Sequence, residues 1–597
     1  MKKNILTILL FLSFLFSPFT ICAQENWKTK AEETDFTQTS RYNETILYCK
    51  KLEQASQAVK FTSFGKSPEG RELPLLILSR DQAFTPQAAK ATGKAIVLIQ
   101  SGIHSGEIDG KEASLMLARE IVISRSLEKL LDSVIVLMVP IYNVDGHEQF
   151  NAYNRINQDG PKEMGARATA QNLNLNRDYL KADAPETRAF LSLFNNWLPD
   201  MFIDVHVTDG ADFQYDLLYT IEEDGYVAPE ISKYVREVFQ PHVKPAVEKA
   251  GHITEQYISL RDSIDPSKGF DVEPFTPRFS NGFGALRNRP TILIETHMLK
   301  PFKIRVKATY DLLVETLREI DRDPESLKAA VRSADLASIK LGESYINDRK
   351  VPLLFSLTDK AKKMKYRGKE FKIEMSEISG TLRVIYNDKP IEIEVPLYNE
   401  IKEEASVVPP LAYIVPPSWI AVIERLQSHG LKLERLAEPI TSEFETYILK
   451  EPKWNSTPYE GRQTVRYKSS LVKQQRTLPI GSVVVRLDQP NSKIAIHLLE
   501  PSAPDSLLFW GLFNSIFEQK EYGESYVLEK MAREMLEKDP ELKKEFMEKL
   551  RSDQSFRGNP DARLNFFYDR SPYRDKIKNV YPVVRVTEKV ALKTVPF

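Results

Sequence analysis

Short, wholly apolar segments alternate with segments of helical periodicity through the first half of the chain. Stretches such as GKEASLMLAREIVIS repeat their apolar residues with the spacing of an amphipathic helix. Strands that are apolar on both faces and separated by helices are typical of a mostly parallel sheet covered on both sides. The pattern therefore predicts an α/β fold, an α/β/α sandwich with a mixed, mostly parallel sheet. The segments that predict its strands are ELPLLILS, KAIVLIQSG, SVIVLMVPIYN, DMFIDVHV and RPTILIETHM.

The pattern changes after about residue 330. EFKIEMSEISGTLRVIYNDKPIEIEVPLY alternates apolar and polar residues with a period of two, and it has turn residues at 379–380 and 387–388. Such alternation indicates antiparallel hairpins. We therefore expect a C-terminal α+β region rich in antiparallel hairpins.

Helical segments also occur in this second half. LAYIVPPSWIAVIERLQSHG predicts a strand followed by a helix, and GSVVVRLDQ with KIAIHLLE predicts another pair of strands. Residues 526–555 form a charged amphipathic stretch that is broken near Pro540. Its charge run is typical of a solvated helix face.

A chain of 597 residues is too long for one hydrophobic core, since domains usually contain roughly 100–200 residues. The change of pattern predicts an α/β domain at residues 24–325 and a C-terminal accessory region at residues 326–597. A further division of the second region near residues 410–440 stays open.

The first 23 residues predict a secretory signal peptide of the bacterial type. Lys2 and Lys3 precede the apolar run ILTILLFLSFLF, and Ala23 offers a small residue for cleavage. The run is short for a retained membrane anchor, and no other stretch is long and apolar enough to span a bilayer. We therefore expect an exported protein, periplasmic or extracellular, with no transmembrane span in the mature chain.

The chain has only two cysteines, Cys22 and Cys49. Cys22 would be the lipidated residue of a lipoprotein, but Phe19, Thr20 and Ile21 before it fit a lipoprotein cleavage site poorly. Removal of the signal peptide would leave Cys49 alone, which excludes an internal disulfide. Its helix-like surroundings indicate a buried small side chain.

Charge argues against two classes of partner. Lys and Arg together number 82 and Asp and Glu 83, so the formal net charge is −1. Binding to nucleic acid or to a membrane surface needs a strong basic excess, which this chain lacks. We expect no nucleic-acid partner, and the oligomeric state stays open.

Three His-x-x-Glu matches occur, which is weak evidence for a metal site in a chain with eight histidines. The matches at 252–255 and 497–500 are interpreted as ordinary surface or packed side chains. Only His104 and Glu107 lie in a glycine-containing loop directly after an apolar strand. Ligands of an open α/β sheet gather at that place.

A catalytic zinc needs three protein ligands, and two histidines with one carboxylate are an established set. His206 ends another predicted strand, so we predict one Zn²⁺ per chain on His104, Glu107 and His206. Hydrolysis also needs a base near the metal. Glu295 ends a further apolar strand, where a carboxylate is costly to bury without a purpose or a partner.

Alternatives remain for these strand-end residues. His206 considered alone is better interpreted as a hydrogen-bonded core histidine, and only its pairing with His104 and Glu107 favours the role of a ligand. Glu295 would instead serve in a salt bridge if Arg287 or Arg289 lay beside it. His297 competes as a ligand by its position, but it is interpreted as a neighbour in the pocket rim.

Five motifs follow one another along the first half of the chain: HSGE (104–107), NVDG (143–146), NLNRDY (174–179), DVH (204–206) and IET (294–296). In this order they resemble the zinc carboxypeptidases of the carboxypeptidase A/B type. That family has His-x-x-Glu after a strand, an Asn-Pro-Asp-Gly-like turn, an Asn-Arg pair, a strand-end His and a strand-end Glu. The resemblance covers about residues 35–325 and implies a mixed sheet between helices, in agreement with the predicted fold.

The resemblance implies the same zinc ligands and the same base, with Glu295 acting later as the acid toward the leaving amine. Asn176 and Arg177 match the pair that holds a substrate's terminal carboxylate, which suits the fork of a guanidinium. Arg155 stands about where the family keeps the arginine that polarises the scissile carbonyl. A surface arginine in a polar loop is the alternative for Arg155.

The chain departs from the digestive members of this family. Gly106 stands where they carry an arginine, which removes one substrate contact. Asn174 stands where they place an aspartate that orients a zinc histidine. Asparagine is still able to accept a hydrogen bond but adds no charge, so Asp109 is a second candidate acceptor and the choice between the two stays open. No clear counterpart of their mobile tyrosine is found around Phe279, and Tyr257 is left unassigned.

Three functions are compatible with these residues. The first, which we predict, is an exported zinc metallocarboxypeptidase acting on peptides with a free C-terminal carboxylate. The second is a zinc amidase or endopeptidase acting on cell-wall peptides. The third is a catalytically silent protein that binds peptides or glycans, which the presence of Glu295 and of all three ligands disfavours.

Overall fold

The computed structural model describes residues 26–597, so the predicted signal peptide and Cys22 lie outside the described residues. Cys49 is buried in a helix. The strands are Val59–Lys66 (β1), Glu72–Leu78 (β2), Ala95–Ser101 (β3), Val134–Val139 (β4), Met201–Thr208 (β5), Leu217–Ile221 (β6), Thr254–Gln256 (β7), Ser259–Leu260 (β8), Phe270–Asp271 (β9), Thr291–His297 (β10), Val351–Leu357 (β11), Lys362–Met375 (β12), Leu382–Tyr398 (β13), Ile401–Val407 (β14), Ala412–Val415 (β15), Glu434–Leu436 (β16), Ile440–Trp454 (β17), Val465–Leu478 (β18), Val483–Arg486 (β19), Val584–Val586 (β20) and Thr594–Pro596 (β21).

The helices include several that begin with proline at the first position, where its missing N–H costs nothing. Within residues 26–597, none is long and apolar enough to cross a membrane. The α-helices are Lys30–Glu33 (α1), Tyr42–Ala55 (α2), Pro86–Thr92 (α3), Asp109–Val122 (α4), Val144–Glu148 (α5), Pro185–Trp197 (α6), Pro229–Tyr234 (α7), Gln240–Lys249 (α8), Ser280–Leu286 (α9), Phe302–Arg322 (α10), Pro324–Glu343 (α11), Ile420–Ser428 (α12), Ser492–Leu499 (α13), Ser525–Lys538 (α14), Pro540–Ser552 (α15), Gln554–Arg557 (α16) and Pro560–Tyr568 (α17).

The first half of the chain forms an eight-stranded sheet in the order β1-β2-β4-β3-β5-β10-β6-β7. The central strands β4, β3, β5 and β10 are parallel, and β2 and β6 join them antiparallel. Strands β3, β4 and β5 are buried at every residue. One face packs on α4 and α10 and the other on α6. The predicted α/β/α sandwich with a mixed sheet is confirmed.

The second half contains three smaller sheets. A seven-stranded sheet has the order β18-β17-β20-β15-β19-β16-β21, and the β12–β13 hairpin extends a four-stranded sheet with β9 and β8. Strands β11 and β14 form an antiparallel pair, and helices α14 to α17 share a small aromatic core. The predicted α+β region rich in antiparallel hairpins is confirmed.

The two halves share one hydrophobic core. Phe190 and Phe283 from the first half belong to the same buried cluster as Tyr413 and Leu426 from the second. His429 adds a hydrogen bond of 2.9 Å from its Nε2 to the carbonyl of Leu180. The second half therefore packs on the α6 face of the large sheet.

Two predictions for the second half were wrong. KIAIHLLE is the buried helix α13 and not a strand, because a short apolar run gives no period that separates the two. Residues 387–388 are not a turn, because β13 continues through them and a bulge between Lys369 and Phe371 of β12 absorbs the irregularity.

Candidate metal centre and active site

Three side chains converge at the carboxyl edge of the large sheet. His104 and Glu107 lie in the loop after β3, and His206 lies near the end of the adjacent strand β5. Nδ1 of His104 is 3.1 Å from Oε1 of Glu107, and Nδ1 of His206 is 3.1 Å from Oε2. All three side chains are buried, and within residues 26–597 they are the only group of this kind whose ligand atoms lie within 4.8 Å of one another.

Asn174 fixes the tautomer of His104. Its Oδ1 accepts a hydrogen bond of 3.0 Å from the backbone N–H of Asn176, which identifies this atom as the carbonyl oxygen of the amide. The same oxygen lies 3.0 Å from Nε2 of His104. A carbonyl oxygen only accepts, so Nε2 of His104 carries the proton and Nδ1 keeps its lone pair.

Asp204 has the corresponding role for His206. Its Oδ2 lies 2.9 Å from Nε2 of His206, and its Oδ1 accepts a hydrogen bond of 2.9 Å from Gln100. Burial lowers the pKa of His206, but the charge of Asp204 outweighs that effect and raises the pKa well above its ordinary range. A carboxylate behind a histidine in this way orients the ring and attracts a positive charge to its other nitrogen.

The donor set fits a zinc ion. Burial favours the neutral form of Glu107, but the charges of His104 and Arg155 hold its pKa well below the usual range, so it is a carboxylate. Nδ1 of His104 is buried and makes no hydrogen bond to any described residue, although a carboxylate oxygen is 3.1 Å away. Two lone pairs that face each other across this gap leave room for a cation. Two imidazoles and one carboxylate are a known zinc set.

Glu295 lines the same cavity as the three ligands. Burial raises the pKa of Glu295 to about 8, and the charge of Glu107 adds to this effect while His206 opposes it. Its position at the end of β10 places it beside the metal group, because β10 pairs with β5. The geometry is that of a proton acceptor next to a metal centre.

The salt bridge considered as an alternative for Glu295 is not formed. Arg287 donates to a side chain of α6 at 2.7 Å, and Arg289 pairs with an aspartate of α11 at 3.0 Å. Neither arginine pairs with Glu295 among the described residues. His297 stacks on the ring of Phe213, with 4.2 Å between the ring centres.

Two arginines lie against the carboxylate of Glu107. Nη2 of Arg155 is 2.7 Å and Nη1 of Arg167 is 3.3 Å from its Oε1. Arg155 passes over Gly106, where an added Cβ would lie 2.5 Å from Cγ of Arg155. Gly106 therefore makes room for Arg155, because any side chain at position 106 would displace it.

Asn176 and Arg177 follow Asn174 in a single turn of 3-10 helix and line the cavity. The guanidinium of Arg177 lies over the ring of Phe279, 4.3 Å from its centre. Oδ1 of Asn176 is buried and has no hydrogen bond to a described residue. The cavity measures about 350 Å³, a usual size for a small-ligand site.

Comparison with known proteins shows which family part of the chain resembles. Residues 46–233 match the model of the family described as zinc carboxypeptidase. This stretch is similar to a zinc carboxypeptidase domain. The predicted family resemblance and the predicted enzyme class of zinc metallopeptidase are both confirmed.

Curated relatives are similar over a longer span. Carboxypeptidase 2 of Trichophyton rubrum is 25% identical over 459 residues, which cover 75% of this chain and 79% of that protein. Carboxypeptidase 2 of Trichophyton equinum is 24% identical over 465 residues, with 75% and 79% covered. The similarity extends past the predicted α/β domain, because residues 24–325 are only about half of the chain.

Solved structures of two carboxypeptidases overlap with part of the chain. The metallo-carboxypeptidase of Burkholderia cenocepacia is 16% identical with a TM-score of 0.35, covering 47% of this chain and 69% of that one. Carboxypeptidase A of Helicoverpa armigera is 16% identical with a TM-score of 0.35, covering 52% and 78%.

Asp109 does not orient His104 or His206, so that candidate was wrong. Its Oδ2 accepts hydrogen bonds of 2.6 Å from Thr296 and 3.0 Å from Arg305. Asn174 meets the requirement itself, because a neutral carbonyl oxygen is sufficient to accept the proton of Nε2.

The other two His-x-x-Glu matches hold no metal group among the described residues. Nε2 of His252 is 2.7 Å from Oδ2 of Asp311. His497 lies inside α13, and Glu500 accepts a hydrogen bond of 2.6 Å from Tyr413. These contacts are those of ordinary packed side chains.

Asp204 and Arg167 were missed as site residues, and Tyr257 was considered for the lining of the site but given no role. The sequence contains a signal for Asp204, because the alternation of side chains along a strand places Asp204 on the same face as His206. Arg167 and Tyr257, which both line the cavity, lie in loops whose path no periodicity predicts. Tyr257 supplies a hydroxyl that the sequence reasoning left unassigned.

Proposed function

We propose that the protein is an exported zinc metallocarboxypeptidase that removes C-terminal residues from peptides with a free carboxylate. One observation carries the proposal. A single cavity is lined by the metal-ligand group, by the buried carboxyl of Glu295 and by the guanidinium of Arg177.

Arg177 and Asn176 bind the substrate's terminal carboxylate in this proposal. A guanidinium presents two parallel N–H groups that match the two oxygens of a carboxylate. Phe279 beneath the guanidinium fixes its plane. A peptide held there places the carbonyl of its last peptide bond near Glu107. Arg155 donates a hydrogen bond to the oxygen of that carbonyl as negative charge develops on it.

Glu295 moves the proton. His104, Glu107 and His206 would hold a zinc ion, which would supply an acidified water and a polarised scissile carbonyl. Glu295 accepts the proton of the attacking water and returns it to the leaving amine. Burial raises the pKa of Glu295 in the metal-free site, and a zinc ion held beside it would lower that pKa again by its positive charge, toward the range in which a carboxyl accepts and returns a proton.

Export rests on the sequence alone. The positively charged start, the apolar run and Ala23 support a cleaved signal peptide and a periplasmic or extracellular location. Sequencing the N-terminus of protein recovered outside the cytoplasm tests this part, and a chain that begins at residue 1 would overturn it.

The principal test is hydrolysis of a mixed peptide library with and without a chelator, using Glu295→Gln beside the wild type. We expect chelator-sensitive activity that the substitution reduces by about 10²–10⁴-fold while zinc stays bound. Glu255→Gln, which changes a glutamate paired with Lys244, is the matched control. Full activity in E295Q would show that Glu295 is not the base.

Peptides with amidated C-termini separate exopeptidase from amidase or endopeptidase action. Cleavage limited to free C-termini supports the proposal. Equal cleavage of amidated and free peptides would favour the second function, in which Arg177 has no terminal carboxylate to bind.

A further inference from the structure

The C-terminal region contacts the loop that carries Asn174. The connection between β17 and β18 makes a tight turn at residues 459–462, which two backbone hydrogen bonds of 2.9 and 3.0 Å close. At the tip of this turn, Oε2 of Glu460 accepts a hydrogen bond of 2.8 Å from the backbone N–H of Asn174.

Glu460 is thereby linked to the metal centre through one residue. The side-chain oxygen of Asn174 accepts from Nε2 of His104 and from the backbone of Asn176, each at 3.0 Å. Glu460 holds the backbone of Asn174, so both the main chain and the side chain of this asparagine are fixed. The oxygen of Asn174 keeps the proton of His104 on Nε2 and so leaves the lone pair of Nδ1 free for a metal. A displaced Asn174 would hold this tautomer less firmly, and His104 would then bind a metal more weakly.

The backbone conformation of Glu460 is unfavourable for a residue other than glycine. Its φ is 49°, and that of the following Gly461 is 72°. A residue other than glycine is uncommon at positive φ and costs free energy there. Glycine would suit position 460 better on backbone grounds, so the carboxylate is the reason to have glutamate at this point.

The turn is firmly attached. Nε of Arg462 donates to Oδ2 of Asp183 at 2.8 Å. The ring of Tyr459 stacks on the buried ring of Trp510, with 5.8 Å between centres. The Arg462–Asp183 pair therefore holds the turn against the first half of the chain, and the stacking on Trp510 fixes it within the C-terminal region.

A second contact from the C-terminal region reaches the carboxylate clamp. The buried carboxylate of Asp505 accepts from the backbone N–H of Arg278 at 2.9 Å and lies 2.6 Å from its Nε. Arg278 precedes Phe279, on which the guanidinium of Arg177 lies. Both the metal side and the clamp side of the cavity are thus supported from beyond residue 325.

We infer that Glu460 is a positioning residue for the metal ligand His104, and that the turn at 459–462 belongs to the active site. The inference rests on the proposed function, in that His104 is taken as a zinc ligand. It concerns metal affinity and ligand geometry, which are measurable without peptide hydrolysis.

The test compares Glu460→Gly with Glu451→Gly in the full chain. Glu451 also has a positive φ, 52°, and lies in the same hairpin, but its carboxylate pairs with the exposed Lys468. Glycine relieves the backbone at both positions, and only E460G loses the bond to Asn174. Chelator competition measures zinc affinity, and the d–d absorption of Co²⁺-substituted protein reports the ligand geometry.

We expect E460G to bind zinc about tenfold more weakly than E451G and to show a shifted Co²⁺ band. The urea midpoint of the metal-free protein is expected not to fall in either variant, because glycine relieves the positive φ at both positions. Glu460→Gln keeps an acceptor oxygen, so it is expected to restore most of the zinc affinity.

Three results would count against these claims in different ways. Zinc affinity of E460G equal to that of E451G would overturn the inference. A fall in affinity that merely follows a fall in the urea midpoint would assign Glu460 a structural role only, which also overturns it. Wild-type protein that takes up no zinc would overturn the proposed function instead.

Discussion

Glu295 lies directly opposite His206 on the neighbouring parallel strand. The strand register alone therefore sets the position of the proposed base relative to one proposed metal ligand. A shift of β10 by one residue would turn Glu295 to the other face of the sheet. The antiparallel pairing of β10 with β6 on its other side keeps that register fixed.

Replacing Asp204 with asparagine is expected to weaken zinc binding by about 10–100-fold, the usual effect of removing support from a ligand histidine. Asp204 accepts from both Gln100 and His206, whereas an amide has one acceptor oxygen. One of the two donors would therefore face an NH₂ group. Chelator competition measures the affinity, with Asp212→Asn as the control. Unchanged zinc affinity in D204N would contradict this role.

Replacing Arg177 with methionine is expected to raise KM for peptides with a free C-terminus by about 10–100-fold. A hydrogen bond to a charged group is worth roughly 1.5–3 kcal/mol, and methionine keeps an apolar contact with Phe279. Steady-state kinetics on free and amidated versions of one peptide measure the effect. Arg332→Met, on the exposed side of α11, is the matched control. An equal loss on both peptides would exclude a carboxylate clamp.

Replacing Gly106 with alanine is expected to reduce kcat/KM at least about tenfold and to lower the free energy of unfolding by about 1–3 kcal/mol. The new Cβ would lie 2.5 Å from Arg155 and 2.8 Å from the carbonyl of Gly165, so Arg155 must move away from Glu107. Gly558→Ala is the control, because its Cβ would meet only a carbonyl oxygen at 3.6 Å. Wild-type kinetics in G106A would show that the position of Arg155 is unimportant.

His252 is expected to make the stability of the fold depend on pH. Burial lowers its pKa, but hydrogen bonds to Asp216 and Asp311 outweigh burial and raise the pKa to about 9. The folded state thus binds this proton more tightly than the unfolded state, in which the pKa is about 6.5. The stabilisation is therefore complete below about pH 6.5 and disappears as the pH rises through about 9.

Urea unfolding at a series of pH values tests this expectation. His252→Gln should lower the free energy of unfolding clearly at pH 6 and much less at pH 10. His242→Gln, at a half-exposed histidine of α8, is the control. A difference between wild type and H252Q that is the same at both pH values would refute the charge effect.

The central sheet and its metal group could be predicted because both follow from local signals. Strands such as β3 and β5 are apolar at nearly every residue, and a polar residue that ends such a strand stands out. His206 and Glu295 were found in this way, and the adjacency of β3, β5 and β10 brought them to His104 and Glu107.

The contacts that hold the site residues in place could not be predicted, because they join distant parts of the chain. Nothing local links Asn174 to His104, and Asp109 became a wrong candidate because charge was weighed above position. Helix α13 was missed because its apolar run fits a buried strand equally well. The C-terminal contacts of Glu460 and Asp505 carry no motif at all.

The hydrogen bond between Asn174 and Glu460 joins residues that are 286 positions apart. Contacts over such sequence distances form late, because a long loop must close first. A chain synthesised only as far as residue 325 already contains all the predicted site residues, yet it lacks the carboxylate that holds Asn174. With the role proposed for Glu460, the candidate metal centre would be complete only after the last third of the polypeptide has been synthesised.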